Sequence, residues 1–257
     1  MLVFVIPLKS PKVSKSWEQV SKLFERCIKS VCNQTSPDFR AIVVCNEKPP
    51  IEFSHPNITY IKVDFTAPKE PTDLARRSLD KARVAMGNTD KGRKILMGLI
   101  SAREFTPSHT MTVDADDCVS KHLAELINQN PQENGWFIDR GYKYQEGSDF
   151  IYLKRKNFYR LCGSCNIIRY DLYDFPEPPE YNRGYGYYKY YIDHEKVKDF
   201  LSKKGNPLKP LPFTGAVYIG ETGENIYYNK EKLSFNLINR KRLTQSICEE
   251  FSLYKIN

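Results

Sequence analysis

The sequence predicts an α/β fold in which a central, mostly parallel sheet is flanked by helices. The segments 2–8 and 39–45 are continuous apolar runs, as in strands that are covered on both faces. Amphipathic helical patterns alternate with such strands through the first half, which is the order expected of a parallel sheet. The chain has 257 residues, of which 40% are apolar, so a single domain can bury its core without disulfides.

The first half of the chain is predicted to consist of four strands and three helices. Ser16 is a candidate N-cap of the first helix, and Gln19 follows it at the spacing of a capping box. The run that begins at His109 leads straight into a group of aspartates. Strands are predicted at 2–8, 39–45, 57–65 and 109–113, and helices from Ser16 to about Asn33, at 72–104 with an interruption at 87–89, and from Ser120, as cap, to Ile127.

After Pro131 the pattern changes. Residues 174–190 are rich in Pro, Gly and Tyr with little periodicity, which predicts a long functional loop or lid. The turn residues at 146–148 predict a hairpin between two of the strands. Strands are predicted at 136–144, 149–153, 166–170 and 216–219, and helices at 157–161, at 193–202 and at the C-terminus.

Composition narrows the function classes without selecting one. The net charge is +8 and the sequence pI is about 9.0, which suits nucleic acid, an anionic membrane face or phosphate-bearing substrates. No apolar run approaches the roughly 20 residues that span a bilayer, and the first apolar run has no basic leader. Seven cysteines without a secretion signal indicate a reducing compartment, so we expect a cytoplasmic protein.

The aspartates after the 109–113 strand are the strongest chemical signal. Asp114 and Asp116 are two residues apart, so at a strand end both carboxylates can point to one ligand. Two hard oxygen ligands suit Mg²⁺ or Mn²⁺. The alternative is a solvated turn in which Asp117 and Ser120 cap the next helix. A helix-loop-helix calcium loop fails, because Val119 stands where that loop needs glycine.

The segment Thr112-Val113-Asp114-Ala115-Asp116-Asp117 resembles the acidic motif of the GT-A glycosyltransferases, especially the family 2-like group. The opening strand that ends at Pro7, the helix from Trp17, the segment 94–99 and the strand 42–46 are similar too. The resemblance implies a GT-A (Rossmann-like) single domain. Residues 1–130 would bind the nucleotide-sugar donor, and residues 131–257 would form a divergent acceptor half, with a lid around 174–190.

The resemblance also implies roles for individual residues. Pro7, Asn46 and Glu47 would lie along the nucleotide base, although Asn46 replaces an acidic residue that is common there. Asp114 would approach the ribose or the metal, and Asp116 would be the direct metal ligand. His194 would be a third metal ligand. Candidate bases for the acceptor hydroxyl are Asp193 and Glu195, with Glu180 as a further carboxylate.

Several of these positions have a structural alternative. Asp90 could contact the base or ribose, and Lys94 is the favoured diphosphate contact of a group that includes Lys91 and Arg93. The alternative is a solvated helix start that Asp90 caps. Asp193 and Glu195 could likewise serve only the start of a helix. The segment 162–165 lacks the second cysteine pair of a zinc site. The resemblance implies instead a Gly-Ser turn that lines the acceptor or donor-sugar pocket, with the thiols as packing.

We therefore predict a metal-dependent glycosyltransferase that uses Mn²⁺ or Mg²⁺ and a UDP- or GDP-type sugar donor. The acceptor would be a hydroxyl, with a glycan or a lipid-linked molecule as candidates. No nucleic acid is expected as partner, and peripheral membrane association would fit the charge. The alternatives are a nucleotidyl- or phosphoryl-transferase with the same metal chemistry, and a non-enzymatic basic protein that binds RNA or another polyanion.

Overall fold

The computed structural model describes residues 1–65, 79–224 and 237–256, with only the backbone of 79–83 and 237. The helices of this part are α1 (Trp17–Cys32), α2 (Leu79–Ser101), α3 (Leu123–Gln129), α4 (Tyr185–Ile192), α5 (Val197–Lys203) and α6 (Gln245–Phe251). The strands are β1 (Leu2–Pro7), β2 (Phe39–Cys45), β3 (Ile58–Lys62), β4 (His109–Thr112), β5 (Cys118–Val119), β6 (Gly135–Phe137), β7 (Gly141–Gln145), β8 (Phe150–Lys154), β9 (Asn166–Arg169), β10 (Lys209–Pro210), β11 (Ala216–Gly220) and β12 (Arg240–Arg242).

The central sheet has the strand order β10-β6-β9-β4-β1-β2-β3. Strand β1 pairs in parallel with β2 and β4, and β2 pairs in parallel with β3. Strand β9 is antiparallel to both of its neighbours, and β10 is parallel to β6. The prediction of an α/β fold with a mostly parallel central sheet is confirmed. The strand order reverses between β1 and β4, which is where such sheets open a crevice for ligands.

Helices cover both faces of this sheet, because alternate residues of β1 point to opposite sides. Leu2, Phe4 and Ile6 belong to the core that α1 completes with Phe24 and Ile28. Val5, between them, packs on the other side against Ile95 and Leu99 of α2. This two-sided burial explains why the strands are continuous apolar runs rather than alternating ones.

A second sheet, with the order β12-β8-β7-β11-β5, was not predicted. The segment 136–144, predicted as one strand, is divided between β6 of the central sheet and β7 of the second sheet. Ile138, between the two strands, is fully buried, and its N–H donates to the carbonyl of Cys165. Asp139 and Arg140 follow it before β7 begins, and this short polar step between two apolar segments does not by itself show that they belong to different sheets.

The structure confirms the predicted start of the first helix and corrects the predicted interruption of the second. The Ser16 hydroxyl accepts from the N–H of Gln19, so the predicted cap of α1 is confirmed. The predicted interruption of the second helix at 87–89 is wrong, because α2 is continuous from Leu79 to Ser101. Thr89 is buried and its hydroxyl donates to the carbonyl of Ala85, so tertiary burial overrides local propensity there. Residues 72–78 of that prediction lie outside the described residues.

Three further boundaries are corrected. Ser120 does not cap the helix after the aspartates; the N-cap is His122, and the Ser120 hydroxyl donates to Glu250. The predicted loop 174–190 ends earlier, because α4 begins at Tyr185. The helix predicted from 193 begins only at Val197.

In the described part of the chain no helix is long and apolar enough to cross a membrane.

Candidate active site

The acidic segment lies beside the carboxyl end of β1, at the point where the strand order reverses. The N–H of Val113, directly after β4, donates to the carbonyl of Val5 at 2.9 Å. The N–H of Leu8 donates to the carbonyl of Val44, so β2 ends at the same edge. Parallel pairing therefore brings the ends of three strands to one crevice, and Asp114 is the first polar residue after β4.

Asp114 is held through its backbone, and its carboxylate faces a lysine. Its N–H donates to the Ser164 hydroxyl at 2.8 Å, and its carbonyl accepts from the Cys27 thiol of α1 at 3.4 Å. Its carboxylate forms an ion pair with the ammonium group of Lys91, which α2 supplies. The two hydrogen bonds fix the main chain from opposite sides, which orients the carboxylate toward α2.

The charge of the Asp114 carboxylate acts on the carboxylate of Asp116. Burial and the neighbouring Asp114 carboxylate raise the pKa of Asp116 to about 6, and the Lys91 ammonium opposes that rise. Two carboxylates that repel each other in a partly desolvated place favour the binding of a cation. Asp116 therefore loses its proton at a higher pH than an ordinary aspartate does.

Asp117 has a structural role. Its side chain is 1% exposed, and burial raises its pKa well above the ordinary value. One carboxylate oxygen accepts from the hydroxyl of Ser164 and the thiol of Cys162, and the other accepts from the N–H of Ile219. Asp117 thus joins the acidic segment to the 162–165 turn and to β11, and the alternative in which it caps the next helix does not hold.

Two lysines of α2 lie near the crevice in different ways. Lys94 is 1% exposed, and its ammonium donates to the Leu8 carbonyl at 2.8 Å and to Asp90 at 2.6 Å. These contacts fasten α2 to the end of β1 and engage the predicted diphosphate lysine within the protein. Lys91, one turn earlier, instead presents its charge to Asp114. Asp90 faces Lys94 and its side chain is 25% exposed.

The residues predicted to lie along the base are at the ends of β1 and β2. Pro7 is buried as the last residue of β1, and Glu47 is exposed. The Asn46 amide nitrogen donates to the carbonyl of Val63 at 3.2 Å. Its carbonyl oxygen is buried and accepts no hydrogen bond within the described structure. Buried acceptors without a hydrogen bond are rare in folded proteins, so this oxygen is a candidate ligand contact.

His194, Lys91 and Gly163 line one small cavity. The His194 Nδ1 donates to the Tyr159 carbonyl at 2.7 Å, which leaves Nε2 as the acceptor nitrogen. Burial, followed by the Lys91 charge, lowers the pKa of His194, so the neutral ring is favoured. Asn166 and Tyr190 line the same cavity, and their side-chain carbonyl oxygen and hydroxyl are buried without a hydrogen bond to any described residue.

The two candidate bases flank His194 in the connection from α4 to α5. The Asp193 carboxylate contacts the Lys196 ammonium at 2.9 Å, and Asp193 is the C-cap of α4 rather than the cap of a following helix. Glu195 is half-buried, and its charge acts on both His194 and Cys165. Glu180 lies before α4 in the chain and pairs with Arg183.

The candidate metal ligands at this site are the carboxylates of the acidic segment. Within residues 1–65, 79–224 and 237–256, no three His, Cys, Asp or Glu side chains converge to hold a metal ion. Asp114 and Asp116 offer two carboxylates, so a cation held there would keep most of its positions for water and phosphate oxygens. Mg²⁺ binds in this way, through one or two carboxylates plus the phosphates of a substrate.

Sequence reasoning preferred Lys94 to Lys91 and did not single out Tyr218. Lys91 was grouped with its neighbours, and only the rotation of α2 decides which lysine faces Asp114. Tyr218 of β11 is near the aspartates, since burial and the charges of Asp117 and Asp116 raise its pKa. Its nearness depends on the second sheet, for which the sequence offered no signal.

Gly163 is expected to tolerate no side chain. A Cβ there would lie 2.5 Å from the Asp114 Oδ2, so Gly163→Ala must displace a carboxylate that is paired with Lys91. We expect a loss of about 1–2 kcal/mol in the free energy of unfolding, measured with urea. Gly184→Ala is the matched control, because no atom lies within 4 Å of its added Cβ. Equal stability of the two variants would contradict this packing.

Similarity to known proteins is found among solved structures. No protein-family model matches the sequence, and no curated protein matches it. The chain is similar to Staphylococcus aureus TarS 1–349, whose crystal structure contains UDP, at 11% identity and a TM-score of 0.46, over 85% of this chain and 60% of that one. It is similar to Francisella tularensis 2-C-methyl-D-erythritol 4-phosphate cytidylyltransferase at 12% identity and a TM-score of 0.38, over 91% and 97% of the chains. The chain thus spans about three fifths of the TarS 1–349 chain.

Proposed function

We propose that this chain is a glycosyltransferase that transfers a sugar from a nucleotide-diphosphate sugar. The observation that carries the proposal is the position of Asp114 and Asp116. They follow β4 at the reversal point of the strand order, and a lysine from α2 meets the first of them. That crevice is where α/β sheets bind nucleotides, and paired carboxylates there suit a cation that a diphosphate shares.

Asp114 and Asp116 would hold Mn²⁺ or Mg²⁺, with Asp116 as the more direct ligand. When bound, such a cation offsets the negative charge that develops on the departing nucleoside diphosphate. Lys91 would turn from Asp114 toward the diphosphate, because the cation takes over the neutralisation of that carboxylate. Lys94 would act indirectly by holding α2 against Leu8, since its ammonium already has two partners.

The base of the nucleotide would lie at the ends of β1 and β2, over Pro7 and against Asn46. The unbonded Asn46 carbonyl oxygen supports this placement, because uracil and guanine both carry a ring N–H that it could accept. Glu47, which is exposed, would be able to contact the base or ribose only from the solvent side.

The acceptor hydroxyl would be deprotonated from the side of His194. Glu195 is the stronger candidate, because its charge acts on His194 and on Cys165 beside the crevice. His194 would position the acceptor through Nε2, or serve as a further metal ligand after a movement of α4, and its neutral ring suits both roles. The cavity that it shares with Lys91 would receive part of the donor sugar or of the acceptor.

A titration with nucleotides tests the proposal. We expect UDP or GDP with Mn²⁺ to raise the melting temperature by about 5–10 °C at 100 times the dissociation constant, and EDTA to abolish the shift. A nucleotidyltransferase would respond to a nucleoside triphosphate rather than to a diphosphate. A polyanion-binding protein would respond to RNA, in a way that high salt weakens and EDTA does not. If no nucleotide diphosphate shifts the transition, the transferase proposal fails.

A further inference from the structure

One edge of the second sheet carries a dense positive surface that the proposed reaction does not use. Strand β12 consists of Arg240, Lys241 and Arg242, and all three are exposed. Residues 154–156, at the end of the neighbouring β8, add Lys154, Arg155 and Lys156, of which the last two are exposed. We call these six residues the basic edge. Six positive charges at one sheet edge make a local field much stronger than the average surface of the chain.

A large apolar side chain stands directly beside the basic edge. Ile238 is 83% exposed, in the turn that leads into β12. That turn is held against the end of β8, because the Arg155 Nε donates to the Asn239 side-chain carbonyl at 3.2 Å. The basic edge and Ile238 therefore form one surface. Ile238 thus adds an exposed apolar side chain to the basic edge.

The carboxylate that precedes β8 acts on Arg242 but is already paired with a lysine. Asp149 precedes β8, and its side chain forms an ion pair with Lys255 at 2.6 Å. Arg240 lies over the Phe150 ring at 4.3 Å, which holds its guanidinium above the sheet. The three basic side chains of β12 are all exposed at this edge of the sheet.

We propose that the basic edge and Ile238 dock this chain on an anionic membrane surface. Clusters of four to eight Lys and Arg bind anionic lipid headgroups, and an inserted apolar side chain supplies the second signal that stable peripheral binding needs. An RNA partner would use the charges but would have no use for an exposed isoleucine. The membrane is therefore the partner that accounts for both halves of the surface.

The position of the basic edge also restricts the acceptor. Tyr218 of β11, Lys143 of β7, Tyr152 of β8 and Arg240 of β12 are successive partners in the sheet and share one face. Three strand spacings of about 4.8 Å place Arg240 about 14 Å from Tyr218, which lies beside the aspartates. A membrane at this edge would bring a headgroup-linked hydroxyl close to the crevice. This step, which rests on the proposed function, makes the acceptor a lipid-linked molecule.

Vesicle co-sedimentation tests the docking surface without donor or metal, so its outcome is independent of the transferase proposal. The protein should bind vesicles of phosphatidylcholine with phosphatidylglycerol, and not vesicles of phosphatidylcholine alone. Replacing the three basic residues of β12 by glutamine should weaken binding about 100-fold. Ile238→Ser should weaken it about fivefold, with less dependence on salt.

Matched controls separate this surface from the general positive charge. The triple variant Lys12→Gln, Lys203→Gln, Lys204→Gln removes the same charge from exposed positions elsewhere and should bind as the wild type does. Val13→Ser, at a position that is 65% exposed in the loop after β1, is the control for Ile238. Equal losses in the two triple variants would overturn the proposal, as would binding to RNA with no binding to anionic vesicles.

Discussion

Asp116→Asn is expected to lower turnover by about 1,000-fold and to abolish the Mn²⁺-dependent binding of a nucleoside diphosphate. The amide has the shape of the carboxylate but not its charge, so a cation on Asp114 would lose its second anionic ligand. Charge neutralisation by a metal contributes several kcal/mol to phosphate departure, which corresponds to three decades in rate. Isothermal titration with Mn²⁺ and UDP or GDP measures the binding, and donor turnover measures the rate.

The same variant has an opposite effect on the stability of the metal-free protein. The pKa of Asp116 is raised to about 6, above the ordinary value of 3.8, so the folded state holds a proton that the unfolded state releases. Wild-type stability should therefore fall as pH rises from about 4 to about 6. Asp116→Asn should be more stable than the wild type by about 1–3 kcal/mol at pH 7.5, and the difference should vanish below pH 4. A variant that is less stable at pH 7.5 would contradict this.

Lys91→Met tests two roles of the Lys91 ammonium: competition with a metal ion for Asp114, and contact with the diphosphate. The Lys91 ammonium competes with a metal for Asp114, so its removal should tighten Mn²⁺ binding in the absence of nucleotide by about tenfold. Nucleotide affinity should fall, because the diphosphate loses a contact. The exposed Lys22→Met on α1, which removes the same charge from the pair with Glu18, should change neither. Weaker Mn²⁺ binding to Lys91→Met would mean that Lys91 does not compete for the site.

The strands around the crevice were predictable because their burial is simple. Strands β1 and β2 are covered on both faces and appear in the sequence as unbroken apolar runs. Ser16 was predictable because a cap depends on residues within one turn. These signals are local, so they place Asp114 at a strand end without any knowledge of the tertiary structure.

The second sheet and the helix contacts were not predictable, because their causes lie far apart in the chain. Strand β5 has two residues, and its pairing with β11 joins segments about a hundred residues apart. The helix α2 continues through 87–89 because it packs on α4, where Gly92 lets the Tyr188 side chain approach. Lys91 and Lys94 have the same local pattern. Only the packed position of α2 shows that one faces Asp114 and the other the Leu8 carbonyl.

Arg26→Met is expected to be the most destabilising single change, at about 3–5 kcal/mol in the free energy of unfolding. Arg26 of α1 is fully buried, and its guanidinium donates to both oxygens of Glu146, at 3.1 and 2.7 Å. It also donates to the Tyr254 carbonyl at 2.7 Å. Methionine fills much of the volume but leaves Glu146 and that carbonyl without their donor, which is the costly way to break a buried ion pair. Urea denaturation measures the loss.

A double-mutant cycle distinguishes the cost of an unpaired Glu146 carboxylate from the cost of lost packing. If the cost is the unpaired carboxylate, Glu146→Leu in the Arg26→Met background should restore about half of the stability, because both charges are then gone. If the cost is packing, the two losses should add. The exposed Lys22→Met on the same helix should cost less than about 0.5 kcal/mol. Because Cys27, next to Arg26, supports the Asp114 carbonyl, a loosened α1 should also weaken the cation affinity of Asp114 and Asp116.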